Sequence, residues 1–484
     1  MSAPSAVTAH EGVARRHYGV TLAVLALAAL AYALLQTMVA PALPEIQHEL
    51  GASTTSVTWV LTVYLLTASV ATPILGRLGD MFGKERTLVA VLALFALGSL
   101  ISALSHSLAL LVAGRAVQGA GGAVFPLAFG IIRDEFPRER VATGIGLISA
   151  TFGIGGGGGL VLSGLIVDNL SYEWIFWFGL IVVLVAMVAT HLFVPESPVK
   201  SPARIDWTGA ALLSAGLVFM LLAVSQGNDW GWGSARIVGL FAAAAAIFVL
   251  WVRFEQRQPK PLVDIGLLRR QGVWTTNLTG LLIGFGMFGS FILIPQFVQT
   301  PEQAGYGFGA DVTAAGLFLL PAAAVMLVAG PAAGALAGRS GSKLPLLLGT
   351  ACAALSFAFL SFAHAAQWQL LVATALLGLG IGLSFASMAN LIVEAVPQEQ
   401  TGEATGMNTI MRTVGGAFGA QIAAAIITNN LAAGSTYPAE EGYTEAFLIS
   451  AAALCLALLA AFMIPGRGAG AAAQRDVVEA PARG

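Results

Sequence analysis

Charged side chains are scarce in this chain, so those inside or beside its apolar runs are the ones able to do chemistry. Gly76-Arg-Leu-Gly-Asp-Met-Phe-Gly-Lys-Glu-Arg86 separates two apolar runs, and Asp80, Lys84 and Arg86 bring charge to their ends. Gly76 and Gly83 permit close backbone approach and positive φ, so the stretch reads as a tight charged loop. Asp134, after Arg133, closes a later run. Arg115 and Arg412 fall within runs. Arg115 stands about eight residues, or about 12 Å, into its run. A guanidinium at that depth needs a partner or a wet cavity. It serves either a functional network or a structural one built on backbone carbonyls. Arg412 reads equally as a cavity residue or a packing residue.

The acids are all peripheral. Those nearest to an apolar run are Asp80, Asp134, Asp168, Asp206 and Glu394, each at an end. Both charges placed within runs are therefore positive. That favours neutral, amphipathic or anionic ligands over a dedicated cation site. Cys352 and Cys455 lie far apart in apolar runs and give neither a disulfide framework nor metal spacing. No phosphate-binding loop follows a strand, and no nucleophile or metal cluster is evident. The sequence thus predicts no enzyme, no cofactor, no metal and no nucleic-acid partner.

The elements that must carry these residues are membrane helices. The chain has 484 residues, 57% hydrophobic and 10% charged, with a mean hydropathy of +0.83. Soluble proteins carry about 25% charged residues. Apolar runs fall roughly at 19–41, 55–77, 87–105, 108–132, 140–167, 173–194, 207–226, 235–253, 273–299, 312–337, 344–363, 367–394, 404–430 and 444–464. Each is about long enough to cross a hydrocarbon core of roughly 30 Å. Fourteen spans put both termini on one side. With the amino terminus inside, 20 of the 23 Lys and Arg fall in inside segments and only Arg236 outside, with Arg115 and Arg412 within spans.

An internal repeat divides the chain. Gly334-Ala-Leu-Ala-Gly-Arg-Ser-Gly341 echoes Gly76–Gly83 at 334 − 76 = 258. Val396–Gly406 echoes Phe136–Gly146 at 397 − 137 = 260, and Gly415, Gly416 and Gly419 echo Gly155, Gly156 and Gly159. The halves are parallel repeats of six helices, with two helices left over between them. The expected organisation is a tail at 1–18, a six-helix bundle at 19–194, linkers and two extra helices at 195–270, a second bundle at 271–465, and a disordered tail at 466–484.

Gly-x-Leu-x-Asp-x-x-Gly-Lys at 76–84 resembles the loop signature of the major facilitator superfamily of transporters. Arg115-Ala-Val-Gln118-Gly119 resembles its fourth-helix motif. Gly159-Leu-Val-Leu-Ser-Gly164 resembles its antiporter motif, with Leu160 in place of the proline. Leu35-Gln36-Thr37 resembles a first-helix motif in which Leu35 occupies an Asp position. The span count resembles the fourteen-span drug:proton antiporter branch.

This resemblance implies an all-α membrane fold of two six-helix bundles plus two extra helices. It implies a secondary transporter in the plasma membrane, exporting drug-like or amphipathic compounds by alternating access, driven by proton entry. It implies a latch of Gly76, Asp80, Gly83, Lys84, Arg86 and Asp134, with Asp80 facing a helix start near Gly402–Gly406. Arg115, Gln118, Gly119, Gln36 and Arg412 belong to a coupling or cavity network, and Gly155, Gly159 and Gly164 to helix packing. With Leu35 unable to titrate, Asp134 or Glu394 would carry the proton. Candidate cavity residues are Tyr32, Tyr64, Asn277, Phe285, Phe288, Gln296, Phe385, Asn390 and Asn408. The expected protein is a monomer in the lipid bilayer, both termini cytoplasmic. The competing reading is an uptake carrier or uniporter on the same fold, kept open by Leu35.

Overall fold

A computed structural model describes residues 18–52, 54–199, 206–259, 261–430 and 437–465. Both terminal tails, and with them Arg15, Arg16, Arg467, Arg475 and Arg483, lie outside the described residues, as do Lys200, Arg204 and Lys260. Fourteen helices among the described residues are long and apolar enough to cross a membrane. They are α1 (Tyr18–Met38), α2 (Trp59–Phe82), α3 (Lys84–Ala103), α4 (Leu108–Glu135), α5 (Arg138–Asn169), α6 (Glu173–Phe193) and α7 (Trp207–Ser225). After these come α8 (Ala235–Glu255), α9 (Gln271–Gln299), α10 (Thr313–Ser340), α11 (Lys343–Phe362), α12 (Gln367–Ala395), α13 (Gln398–Asn429) and α14 (Glu440–Phe462).

Helices α1–α6 pack into one bundle and α9–α14 into a second, and α5 against α10 and α2 against α13 join them. The extra helix α7 lies over the α2–α13 seam. Leu213, Leu217 and Leu221 cluster there with Leu66, Met407, Ile410 and Val414. Helix α8 packs mainly on α7. Local chemistry sets several helix starts. Ser107, Asp206, Ser234 and Asp311 cap α4, α7, α8 and α10 by accepting a bond from a backbone N–H three residues on.

Two boundaries differ from expectation. The stretch 76–86 is not a loop. Helix α2 continues through Phe82, and the whole turn is Gly83, at φ +122°. Gly76 is helical, and its use is proximity alone. A Cβ there would lie 2.7 Å from the Gly402 carbonyl oxygen. Helix α13 begins at Gln398, earlier than hydropathy suggests, because its polar first turns are buried in protein rather than lipid. Thr401, Glu403 and Thr405 are all buried.

Helix ends sort onto two faces. One, the basic face, holds Arg77, Lys84, Arg86, Arg133, Arg138, Arg140, Arg253, Arg339 and Lys343, and the opposite face holds Arg236.

Candidate functional site: a charged seam and an aromatic row between the bundles

At the basic face, α2 meets the first turn of α13. The Asp80 side chain is fully buried. It accepts the backbone N–H groups of Gly402 (3.3 Å) and Glu403 (3.1 Å). These are orphan donors at a helix start, where a carboxylate also meets the positive end of the helix dipole. Lys84 Nζ stands 3.4 Å from Asp80 and 2.7 Å from Asp134. Its methylenes pass over Gly130, where a Cβ would lie 2.7 Å from Lys84 Cε. Ser197, in the segment after α6, donates a second short bond to Asp134. Arg77 pairs with Glu403 across the seam at 3.4 Å. Glu403 also accepts the Asp264 backbone N–H at 2.6 Å. Arg133 crosses from α4 to the Val396 carbonyl (2.7 Å), the Pro397 carbonyl (3.1 Å) and the Thr401 hydroxyl (2.6 Å).

So Asp80, Lys84 and Asp134 come together, with Gly76 and Gly83 beside them. Arg86 does not join them. Its side chain is 73% exposed and pairs with Glu196 at 3.5 Å, outside the seam. Sequence reasoning missed Arg77, Glu403 and Arg133 as bridging residues. The signal was Gly402 and Gly406 bracketing Glu403, a spacing that implies close packing. It was hidden because hydropathy started the helix after it.

A second constellation lies deeper. Aromatic rings run from Tyr64 through Tyr32 (6.4 Å between centroids), Phe125 (5.9 Å) and Phe152 (5.6 Å) to Phe385 (5.6 Å). The row passes from the first bundle into α12 of the second. A buried arginine stands at each end. Arg115 stacks on Tyr64 at 4.0 Å, and Arg412 on Phe385 at 4.1 Å and Phe152 at 5.8 Å. Arg115 is otherwise structural in its contacts. It donates to the Val60 carbonyl (3.1 Å) and to Gln118 (2.7 Å), and Gln118 donates to Ser99 (2.8 Å). Gly119 lets the same helix close on Thr67 of α2. Phe125 and Phe152 were not singled out in the sequence, since a ring on an apolar helix carries no signal of its facing.

The other candidates separate. Gly155 and Gly159 close on Ala33 and Thr37 of α1, whereas Gly164 meets Thr313 of α10. Thr37 donates to the Gly155 carbonyl at 2.7 Å. Leu35 packs against Gly179 inside the first bundle, and Gln36 leaves a buried carbonyl oxygen without a partner. Asn408 donates to Asn277 at 3.0 Å within the second bundle. Asn390 reaches the Ala142 carbonyl of the first at 3.4 Å. Phe288 pairs with Phe291, Phe285 lets its carbonyl approach Gly419, and Gln296 is exposed near the end of α9. Glu394 is exposed and accepts from Ser342 at 2.9 Å.

Two helical bundles with a polar seam at one face and an aromatic row between them define a multi-pass membrane transporter. The chain matches the Major Facilitator Superfamily model over residues 25–420 and belongs to that family. It is 30% identical over 462 residues to the tetracenomycin C resistance and export protein of Streptomyces glaucescens, covering 93% of this chain and 84% of that one. It is 28% identical over 395 residues to the multidrug transporter protein MdtP of Bacillus subtilis, covering 81% and 72%. An uncharacterized MFS-type transporter of Mycobacterium tuberculosis is 31% identical over 402 residues, and there the chain spans 57% of the relative's length. The fold matches the crystal structure of the human organic anion transporter TETRAN at a TM-score of 0.64 and 18% identity, covering 93% of this chain and 99% of that one. The family consists of transporters, not enzymes.

Proposed function

We propose that this protein exports small amphipathic organic compounds from the cell by alternating access, in exchange for protons. On this reading it sits in the plasma membrane as a monomer, with the basic face and both termini cytoplasmic. The excess of Lys and Arg on that face supports the orientation. The names of the tetracenomycin and multidrug relatives support export. The observation that carries the mechanism is the charged seam. Asp80 and Glu403, both buried, join the two bundles most strongly while ionised, Asp80 through the helix-start N–H groups of α13 and Glu403 through Arg77. Protonating Glu403 would remove its ion pair with Arg77 and loosen the cytoplasmic closure. Glu403 is therefore a better proton carrier than Asp134, which Lys84 and Ser197 hold, or Glu394, which is exposed.

Efflux of a fluorescent amphiphile from loaded cells tests this. Uphill efflux should stop when an ionophore collapses the proton gradient. Glu403→Gln should keep downhill exchange and lose uphill transport. Uphill efflux that survives collapse of the gradient would favour the uniporter reading, to which the missing first-helix acid at Leu35 points.

A further inference from the structure

The two buried arginines are not equivalent. Arg115 has a carbonyl, an amide and a ring as partners. Arg412 has rings alone. It is 8% exposed, and none of its guanidinium nitrogens makes a hydrogen bond or an ion pair among the described residues. Its guanidinium nitrogens are not sealed in, as Arg115 Nη2 is, and reach open space. Ring faces offset only part of the desolvation of a cation. A permanently charged guanidinium held at mid-membrane without an acid is a site waiting for an anion.

Its position fits a substrate rather than a structural counter-ion. Arg412 lies 412 − 398 = 14 residues from the basic-face end of α13. Phe152 lies 152 − 138 = 14 residues along α5 and Tyr32 lies 32 − 18 = 14 residues along α1. All three therefore stand about 20 Å from that face. Phe152 belongs to the first bundle, and Phe385 and Arg412 to the second. A molecule held among them touches both halves. The acids of the seam, Asp80 and Glu403, and Glu394 at the face all bond to other partners.

We propose that this site takes aromatic organic anions: a carboxylate or phenolate oxygen accepts from Arg412, and the attached ring lies against Phe152 and Phe385. This deepens the export reading and rests on it. A guanidinium offers paired donors to a carboxylate, and its bonds to an anion are about twice as strong as neutral ones. A lipophilic cation would meet the repulsion of Arg412 instead.

Equilibrium binding to the full-length protein in nanodiscs tests the substrate class apart from transport direction, since no gradient is present. The probes are pyrenebutyrate, its carboxamide and pyrenebutylamine, with protein-free nanodiscs as baseline. The carboxylate should bind roughly tenfold or more tightly than the amide, and the amine weakest. In Arg412→Gln the ratio of carboxylate to amide affinity should fall to about one, and in Arg412→Lys a preference should persist. Equal affinities in the wild type, or a preference for the amine, would overturn the proposal. So would an Arg412→Gln protein that weakens both ligands alike and keeps the ratio, the outcome of a purely structural arginine. A failed export reading would show instead as correct binding ratios without efflux from loaded cells.

Discussion

The α2–α13 seam and the α5–α10 seam occupy equivalent places in the two halves, yet they are built from different chemistry. Gly76 and Gly83 of α2 correspond to Gly334 and Gly341 of α10, and Gly83 and Gly341 both adopt positive φ (+122° and +83°). Gly76 closes on Gly402, and Gly334 closes on Ala142 and Thr143. At the same offsets the charges drop out. Asp80 becomes Gly338 (338 − 80 = 258), Lys84 becomes Ser342, and Glu403 matches Thr143 (403 − 143 = 260). Asp134 alone keeps its charge, as Glu394, and the bond Ser342–Glu394 (2.9 Å) stands where Lys84–Asp134 (2.7 Å) stands in the first half.

The difference separates two tasks. The α5–α10 seam runs the length of the membrane on small residues. Gly146 meets Gly330, Gly153 meets Met326, Gly157 meets Ala323 and Gly164 meets Thr313. Close backbone approach of this kind binds by dispersion and has nothing to regain when parted. The charged seam is confined to the basic face, and its ions would recover water on opening. It can therefore close firmly and still open at modest cost.

Substitutions should follow this division. Lys84→Met gives the largest effect. It strands Asp80 and Asp134 without their shared cation and should cost about 3–5 kcal/mol, seen as a lowered Tm in detergent. Adding Asp134→Leu should restore part of it, because an apolar pair replaces the ion pair. If Lys84→Met alone left Tm unchanged, the buried charges would not be paired as described.

Gly334→Val comes next. Its Cβ would lie 2.5 Å from the Ala142 carbonyl oxygen, so overpacking should cost about 1–3 kcal/mol. Gly158→Ala, with open space at that position, should be neutral or slightly stabilising by the same thermal measurement. Equal losses at both positions would mean that close packing at the seam is not what the measurement reads, since helix propensity alone favours Ala over Gly. Ser342→Ala should give the mildest of the losses, at about 1 kcal/mol, since Glu394 stays exposed to solvent. A loss matching that of Lys84→Met would erase the contrast between the halves.

Much of this was legible in the sequence. Helix number and the paired halves follow from hydropathy, basic residues and the offset repeat, because lipid exposure forces long apolar runs. Asp80, Lys84 and Asp134 were legible through their resemblance to the family's loop signature and helix-end acid, and the structure brings them within bonding distance. Glu403 was not, because a buried acid at a helix start looks like solvated loop until the seam covers it. Arg86 was overread, since a charge beside a motif carries no mark of which way it faces. The aromatic row was visible only in part. Tyr32, Tyr64 and Phe385 stood out, whereas Phe125 and Phe152 depend on how α4 and α5 rotate, which the glycine faces of α5 decide.

The most direct test of the claim that the charged seam must part during transport is a reversible cross-link across it. With Cys352 and Cys455 replaced by Ala, Thr72→Cys and Gly406→Cys would place two thiols across the contact of α2 and α13, where a Cβ at position 406 lies 3.7 Å from Thr72 Cγ2 and meets no clash. Oxidation to the disulfide should abolish efflux from loaded cells, and reduction should restore it. Efflux at the uncross-linked rate with the disulfide fully formed would contradict the claim.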